Sequence, residues 1–216
     1  MGRPYRNVIF DLDGTLIDSR PGILAGIRHA LAQLGHDLPS NIPLDWAIGP
    51  PPEEVMARLL KPFGDDRINE AVSHYRDHYG GVGLFFARPY EGISKLLTGM
   101  RTAGQSLFVG TSKLAPFAMT VLEHFCLAEH FAGIYGAEAN GRFSSKTDLI
   151  RHILNERRLD PRKTVVIGDR EHDVFSARAN GLEVISVTYG YGTVAELVEA
   201  GADVLCNTPS LLRELV

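Results

Sequence analysis

The sequence has little cysteine: Cys126 and Cys206 are the only two in 216 residues. They are far apart and not in C-x-x-C spacing, so neither a disulfide framework nor a structural zinc site is expected, and a reducing compartment fits. Charge of one sign is not concentrated anywhere. The 22 basic and 26 acidic residues are mixed along the chain, for a formal net charge of -4. Without a basic stripe, a nucleic-acid polymer is not an expected partner. Long uncharged runs are missing, and the opening MGRPYRNVIF lacks the apolar stretch of a signal peptide. The expectation is a cytoplasmic protein with no membrane segment. Repeats and low-complexity segments are lacking too. The 44% hydrophobic content suits a globular chain with one sizeable core, or one core and a small second unit.

What is present begins with four short apolar runs, Val8 to Phe10, Leu107 to Val109, Val165 to Ile167 and Val184 to Val187. None alternates, as befits strands covered on both faces. A helical stripe of Leu149, Ile150, Ile153 and Leu154 lies between two of them, opened by Ser145 as a cap and stopped by Leu159-Asp160-Pro161. Asp203 to Cys206 adds an edge strand before a last helix at Ser210 to Leu215. This rhythm predicts an α/β fold with a Rossmann-like parallel sheet.

The stretch after the first run reads differently. Ile23, Ile27, Leu31 and Leu34 stripe a helix from Pro21 to Leu34, and Gly35 follows as its C-cap. Further helices are expected over Glu53 to Leu60, behind the GPPP of Gly49 to Pro52, and over Arg67 to Tyr79, where Ile68, Val72, Tyr75 and Tyr79 share a face. The reading is therefore a helical insertion at residues 19–85, within a core of residues 1–18 and 86–216.

Ligands of open parallel sheets bind at the carboxyl ends of the strands. The first run ends in Asp11, with Asp13 two residues on. The second leads to Thr111-Ser112-Lys113, and the third ends in Gly168-Asp169 with Asp173 four residues later; Lys146 opens the helix before it. Carboxylates gathered at one sheet edge repel one another unless a cation sits among them, and hard oxygen ligands beside a dianionic substrate favour Mg2+. Carboxylates, a metal, a hydroxyl and a lysine point to phosphate chemistry, with Thr111 and the amides of the Leu12 to Gly14 turn as donors to phosphoryl oxygens.

DLDGTL (Asp11 to Leu16), Thr111-Ser112-Lys113, Lys146 and GDREHD (Gly168 to Asp173) resemble, in order and spacing, the four signature motifs of the haloacid dehalogenase superfamily. The resemblance covers nearly the whole chain, and the helical insertion is similar to the superfamily's C1 cap. DSRPGI, GPPPEE, GLEVISVTYGYG and AGAD narrow it towards phosphoglycolate phosphatase-like members. The resemblance implies that Asp11 is the nucleophile of an aspartyl-phosphate intermediate and Asp13 the acid and base. It implies Mg2+ on Asp11, the Asp13 carbonyl and Asp169, with Asp173 in direct or water-mediated contact. Thr111 and Lys146 would hold the phosphoryl group, with Ser112 and Gly14 also lining the substrate site. Ser112 stands where asparagine is common, and Arg170-Glu171-His172 where a serine often follows the aspartate. The substrate would be a small phosphorylated metabolite, phosphoglycolate or a nucleoside 5'-monophosphate. A sugar phosphomutase and a catalytically silent phosphometabolite-binding module are the alternatives, and the protein would be a monomer or homodimer.

Several residues carry blander readings. Asp18 marks the hinge into the insertion. Lys113 reads as a solvated neighbour, and His172 as an exposed helix-start histidine. His74 and His78, at i and i+4, read as a polar flank, because no third ligand is near. Trp46 reads as core of the insertion, and Tyr189 to Gly192 as a flexible turn after a strand.

Overall fold

A computed structural model describes residues 5–39 and 42–216. In chain order its strands are β1 (Asn7–Phe10), β2 (Ile17–Asp18), β3 (Arg88–Pro89), β4 (Ser106–Leu114), β5 (Gly133–Ala137), β6 (Thr164–Gly168), β7 (Glu183–Val187) and β8 (Val204–Cys206). The α-helices are α1 (Arg20–Gln33), α2 (Pro52–Leu60), α3 (Ile68–Gly81), α4 (Ile93–Thr102), α5 (Ala115–His124), α6 (Lys146–Arg157), α7 (Glu171–Ala179), α8 (Val194–Glu199) and α9 (Pro209–Leu215).

Six strands form one sheet in the order β5-β4-β1-β6-β7-β8, with every pairing parallel. The chain builds outward from β1 on one side, then crosses to build on the other, so β1 lies at the topological switch point. Register fixes what meets there. Phe10 pairs with Val109 on one side and Ile167 on the other, so Asp11, Gly110 and Gly168 follow side by side. The central strands read as unbroken apolar runs because helices cover both faces. Ile9, Phe108 and Val166 pack with Leu149, Ile150 and Ile153 of α6 and Val174 and Ala177 of α7 in one cluster.

The chain divides into two compact units, Met1–Asp18 with Pro89–Val216, and Ser19–Arg88. In the second unit, α1 buries Ile23, Ile27 and Leu31, α2 buries Val55, Met56, Leu59 and Leu60, and α3 buries Val72 and Tyr79. Gly35 closes α1 in the left-handed region at φ 84°. Trp46 departs from expectation: it is only half-buried, and the Arg58 guanidinium stacks 3.8 Å from its ring centroid. An indole face attracts a cation, so this position serves a surface pair. His78 stacks on His29, with centroids 4.5 Å apart, and His74 lies 3.8 Å from Glu70.

The sequence reading does not anticipate α4, α5, α8, β5 or the two-residue strands β2 and β3. β4 also runs past the apolar run, to Leu114. Its pairing with β5 shifts register between Thr111 and Leu114, a bulge directly at the sheet's carboxyl edge.

Candidate active site

Asp11 is the first residue beyond β1, and its amide still donates to the Ile167 carbonyl at 2.8 Å, so the ladder holds it rigidly. The chain then turns tightly, with the Leu12 carbonyl accepting from the amides of Leu16 at 2.9 Å and Ile17 at 3.0 Å. Gly14 sits at φ 86°, and a Cβ there would lie 2.2 Å from Asp169 Oδ2. Only glycine permits both the turn and the approach of that carboxylate. Its amide donates to the Ile17 carbonyl at 2.9 Å. The phosphate hydrogen bond expected from Gly14 is therefore corrected: that N–H is committed to the turn.

Lys146 opens α6 and is buried with the acids. Its Nζ lies 2.9 Å from Asp11 Oδ1 and 2.5 Å from Asp173 Oδ1, with 7% of its side chain exposed. A cation at a helix N-terminus opposes the macrodipole, and two carboxylates supply the compensation. Ser145 caps the helix by accepting from the Asp148 amide at 3.4 Å. Asp173 also caps α7, its Oδ2 accepting from the Arg170 amide at 3.1 Å. Thr111 is buried, and its Oγ1 accepts from the Lys113 amide at 3.2 Å, which leaves the hydroxyl proton to donate elsewhere. Ser112 beside it is half-buried, and His172 is exposed as expected.

Two residue groups contradict the sequence reading. Lys113 is not solvated: its side chain is 5% exposed, and Nζ lies 2.7 Å from Asp13 Oδ2. The bulge in β4 turns it into the site instead of out to water. Tyr189 to Gly192 is not a loose turn. The Tyr191 amide donates to Asp169 Oδ2 at 2.7 Å, and the Tyr189 hydroxyl donates to the Thr15 carbonyl at 3.0 Å. A Cβ on Gly190 would sit 2.4 Å from both Asp169 Cβ and the Gly14 carbonyl. Tyr191 also reaches Asp18 Oδ1 through its hydroxyl, at 3.2 Å. The glycine pair was the available signal, since glycine marks close backbone approach as well as turns.

Burial dominates the electrostatics. It pushes Asp11 up to about 6, opposed by Lys146 and reinforced by Asp173 and Asp13. It pushes Asp169 up to about 8, with Asp11 and Asp173 adding repulsion and the Tyr191 amide and Lys146 pulling back. For Lys146 burial works against the charge, but Asp11 and Asp173 outweigh it and the ammonium titrates above its usual range. Asp11, Asp169 and Asp173 each offer an oxygen within 4.8 Å of the others, all buried. Two lysines among four carboxylates leave a formal excess of two negative charges. A hard divalent cation balances that excess, and an all-oxygen donor set suits Mg2+ rather than a soft metal.

Residues 8–187 match the family model described as "Haloacid dehalogenase-like hydrolase". The chain is 39% identical over 214 residues to a 5'-nucleotidase of Pseudomonas aeruginosa, covering 98% of this chain and 96% of that protein. It is 30% identical over 209 residues to a phosphoglycolate phosphatase of Mesorhizobium japonicum, covering 88% and 85%. Among solved structures, protein tyrosine kinase A of Mycobacterium tuberculosis superposes with a TM-score of 0.83 at 37% identity, covering 99% and 98%.

Proposed function

Because the chain belongs to the haloacid dehalogenase-like hydrolases, we propose that it hydrolyses small phosphomonoesters through a phosphorylated Asp11. The observation that carries this reading is the placement of Asp11: buried, held by the β-ladder, and 2.9 Å from the Lys146 ammonium. Its Oδ would attack phosphorus while the ester P–O bond breaks. The departing oxygen would take a proton from Asp13, giving an alcohol and an aspartyl-phosphate. Asp13, now a carboxylate, would take a proton from water as the water's oxygen attacks phosphorus. The phosphate–Asp11 bond then breaks, phosphate leaves and Asp11 is regenerated.

Lys146 would offset charge on the phosphoryl oxygens, and Thr111 would donate its hydroxyl proton to one of them. Asp11 and Asp169, with the Asp13 carbonyl, would hold a divalent cation, for which Mg2+ is the best match. Asp173 would act from behind, because its oxygens are committed to Lys146 and the Arg170 amide. Such a cation neutralises charge developing on the transferred group when bound. The helical unit, Ser19–Arg88, would act as the cap.

The 39% identity to a nucleotidase, against 30% to a phosphoglycolate phosphatase, supports nucleoside 5'-monophosphates as the first substrates to assay, with phosphoglycolate second. Asp11→Asn removes the nucleophile while keeping its shape. Phosphate release from the substrate turned over best should fall at least about 10^3-fold with the circular dichroism spectrum unchanged. Retained turnover would contradict the reading.

A further inference from the structure

Lys113 has no part in the chemistry above, yet four features converge on it. β4 breaks register between Thr111 and Leu114, so the strand re-aims its side chains at the site. The Lys113 amide is fixed by Thr111 Oγ1 at 3.2 Å. β5 makes room for the bulge with Gly136, where a Cβ would lie 2.4 Å from the Lys113 carbonyl and 2.8 Å from the Ala115 nitrogen. At the far end, Lys113 Nζ meets Asp13 Oδ2 at 2.7 Å, with 5% and 13% of the two side chains exposed.

That pair treats the two oxygens of Asp13 unequally. Oδ2 is held, while Oδ1 is buried and lacks a hydrogen-bond partner among the described residues. A buried carboxylate oxygen without a partner is costly, and such atoms concentrate where a substrate completes the set. We propose that Lys113 is the positioning residue of the acid and base: it clamps Asp13 Oδ2, so that Oδ1 exchanges the proton with the departing oxygen. This rests on the reading of Asp13 given above. In the step concerned the ester P–O bond breaks as Asp11 bonds to phosphorus, and the Oδ1 proton passes to the leaving oxygen. Lys113 keeps its own protons throughout.

A purely structural ion pair would make a different prediction, because its loss would slow every substrate alike. A positioning role depends on the leaving group. An alkoxide needs its proton as it departs, whereas p-nitrophenolate leaves without one. The test compares kcat/KM, which reports steps through departure of the leaving group, for p-nitrophenyl phosphate and for adenosine 5'-monophosphate or 2-phosphoglycolate, whichever the wild type hydrolyses faster. Lys113→Met should lower the alkyl phosphate value by about 10^2-fold, within the range of general acid catalysis, and the nitrophenyl value by under about tenfold. Lys113→Arg should recover most of the alkyl rate. In case Lys113→Met does not fold, Asp13→Asn with Lys113→Met removes both charges together, and it should match Asp13→Asn alone on the alkyl ester. Equal losses on both esters, no loss, or a further loss in the double variant would overturn the proposal. Wild-type protein inert on every ester would instead overturn the phosphatase reading itself.

Discussion

Lys146 is the residue on which the buried charges depend most. It faces Asp11 and Asp173 at 2.9 and 2.5 Å with almost no solvent contact. Deleting one partner of a buried ion pair leaves uncompensated charge and costs roughly 3–5 kcal/mol. Lys146→Met is therefore expected to lower unfolding free energy by about that amount at neutral pH without metal, measured by urea denaturation. Its phosphatase activity should be lost as well. Lys146→Arg should regain part of the stability, because charge is restored, and less of the activity, because the guanidinium's fork cannot occupy an ammonium's place between two carboxylates. A Lys146→Met protein as stable as wild type would show that solvent reaches these acids far more than their burial indicates.

At the scale of elements, the site is a product of where strands stop and how two turns, at Gly14 and at Tyr189 to Gly192, press on Asp169. Gly190 matters most in that respect, since a Cβ would meet both Asp169 and the Gly14 carbonyl at 2.4 Å. Overpacking of this kind costs about 1–3 kcal/mol. Gly190→Ala should lose stability in that range and weaken Mg2+ binding, read by isothermal titration calorimetry. Unchanged affinity would mean that the Tyr189 to Gly192 turn does not set the Asp169 carboxylate.

The same elements show what the sequence made legible. β1 and β6 could be read because two-sided burial makes them unbroken apolar runs, and Asp11 and Asp169 because a charge immediately after such a run is conspicuous. Lys146 could be read from a cation where a helix dipole disfavours one. β5 could not, since GIYGA carries two glycines, one of which serves the bulge. α4 carries a stripe of Ile93, Leu96, Leu97 and Met100, all buried, but it opens on Gly92 with no side-chain cap to mark its start. Lys113 reads as solvated because the register break in β4 between Thr111 and Leu114, which re-aims its side chain, is not encoded in its immediate neighbours. The Tyr191 contribution comes from a backbone N–H, a group that every residue but proline carries.

For the whole molecule, the parallel sheet gathers residues from 11 to 173 at one edge, and the resulting charge should make stability depend on pH and on a divalent cation. Asp11 and Asp169 titrate at about 6 and about 8 in the fold, above the ordinary aspartate range. Groups so raised bind protons more tightly when folded, so their stabilising contribution is complete below about pH 4. It is lost as pH rises through about 6 and then about 8. The metal-free protein should accordingly melt at lower temperature at pH 8.5 than at pH 6 in EDTA. Millimolar Mg2+ should raise Tm more at the higher pH, because the cation replaces the protons. A metal effect that is equal at both pH values would contradict this linkage.

The central claim is that Asp11 carries the phosphoryl group, and a trapped intermediate tests it directly. Asp13→Asn lacks the base for the second step, yet the first step still proceeds with a leaving group that needs no proton. Mixing this variant with radiolabelled p-nitrophenyl phosphate and Mg2+, then quenching in acid, should give a burst of nitrophenol and label on the peptide containing Asp11. Hydroxylamine should release that label, and Asp11→Asn should acquire none. Label on another residue, or full turnover by Asp11→Asn, would contradict the account.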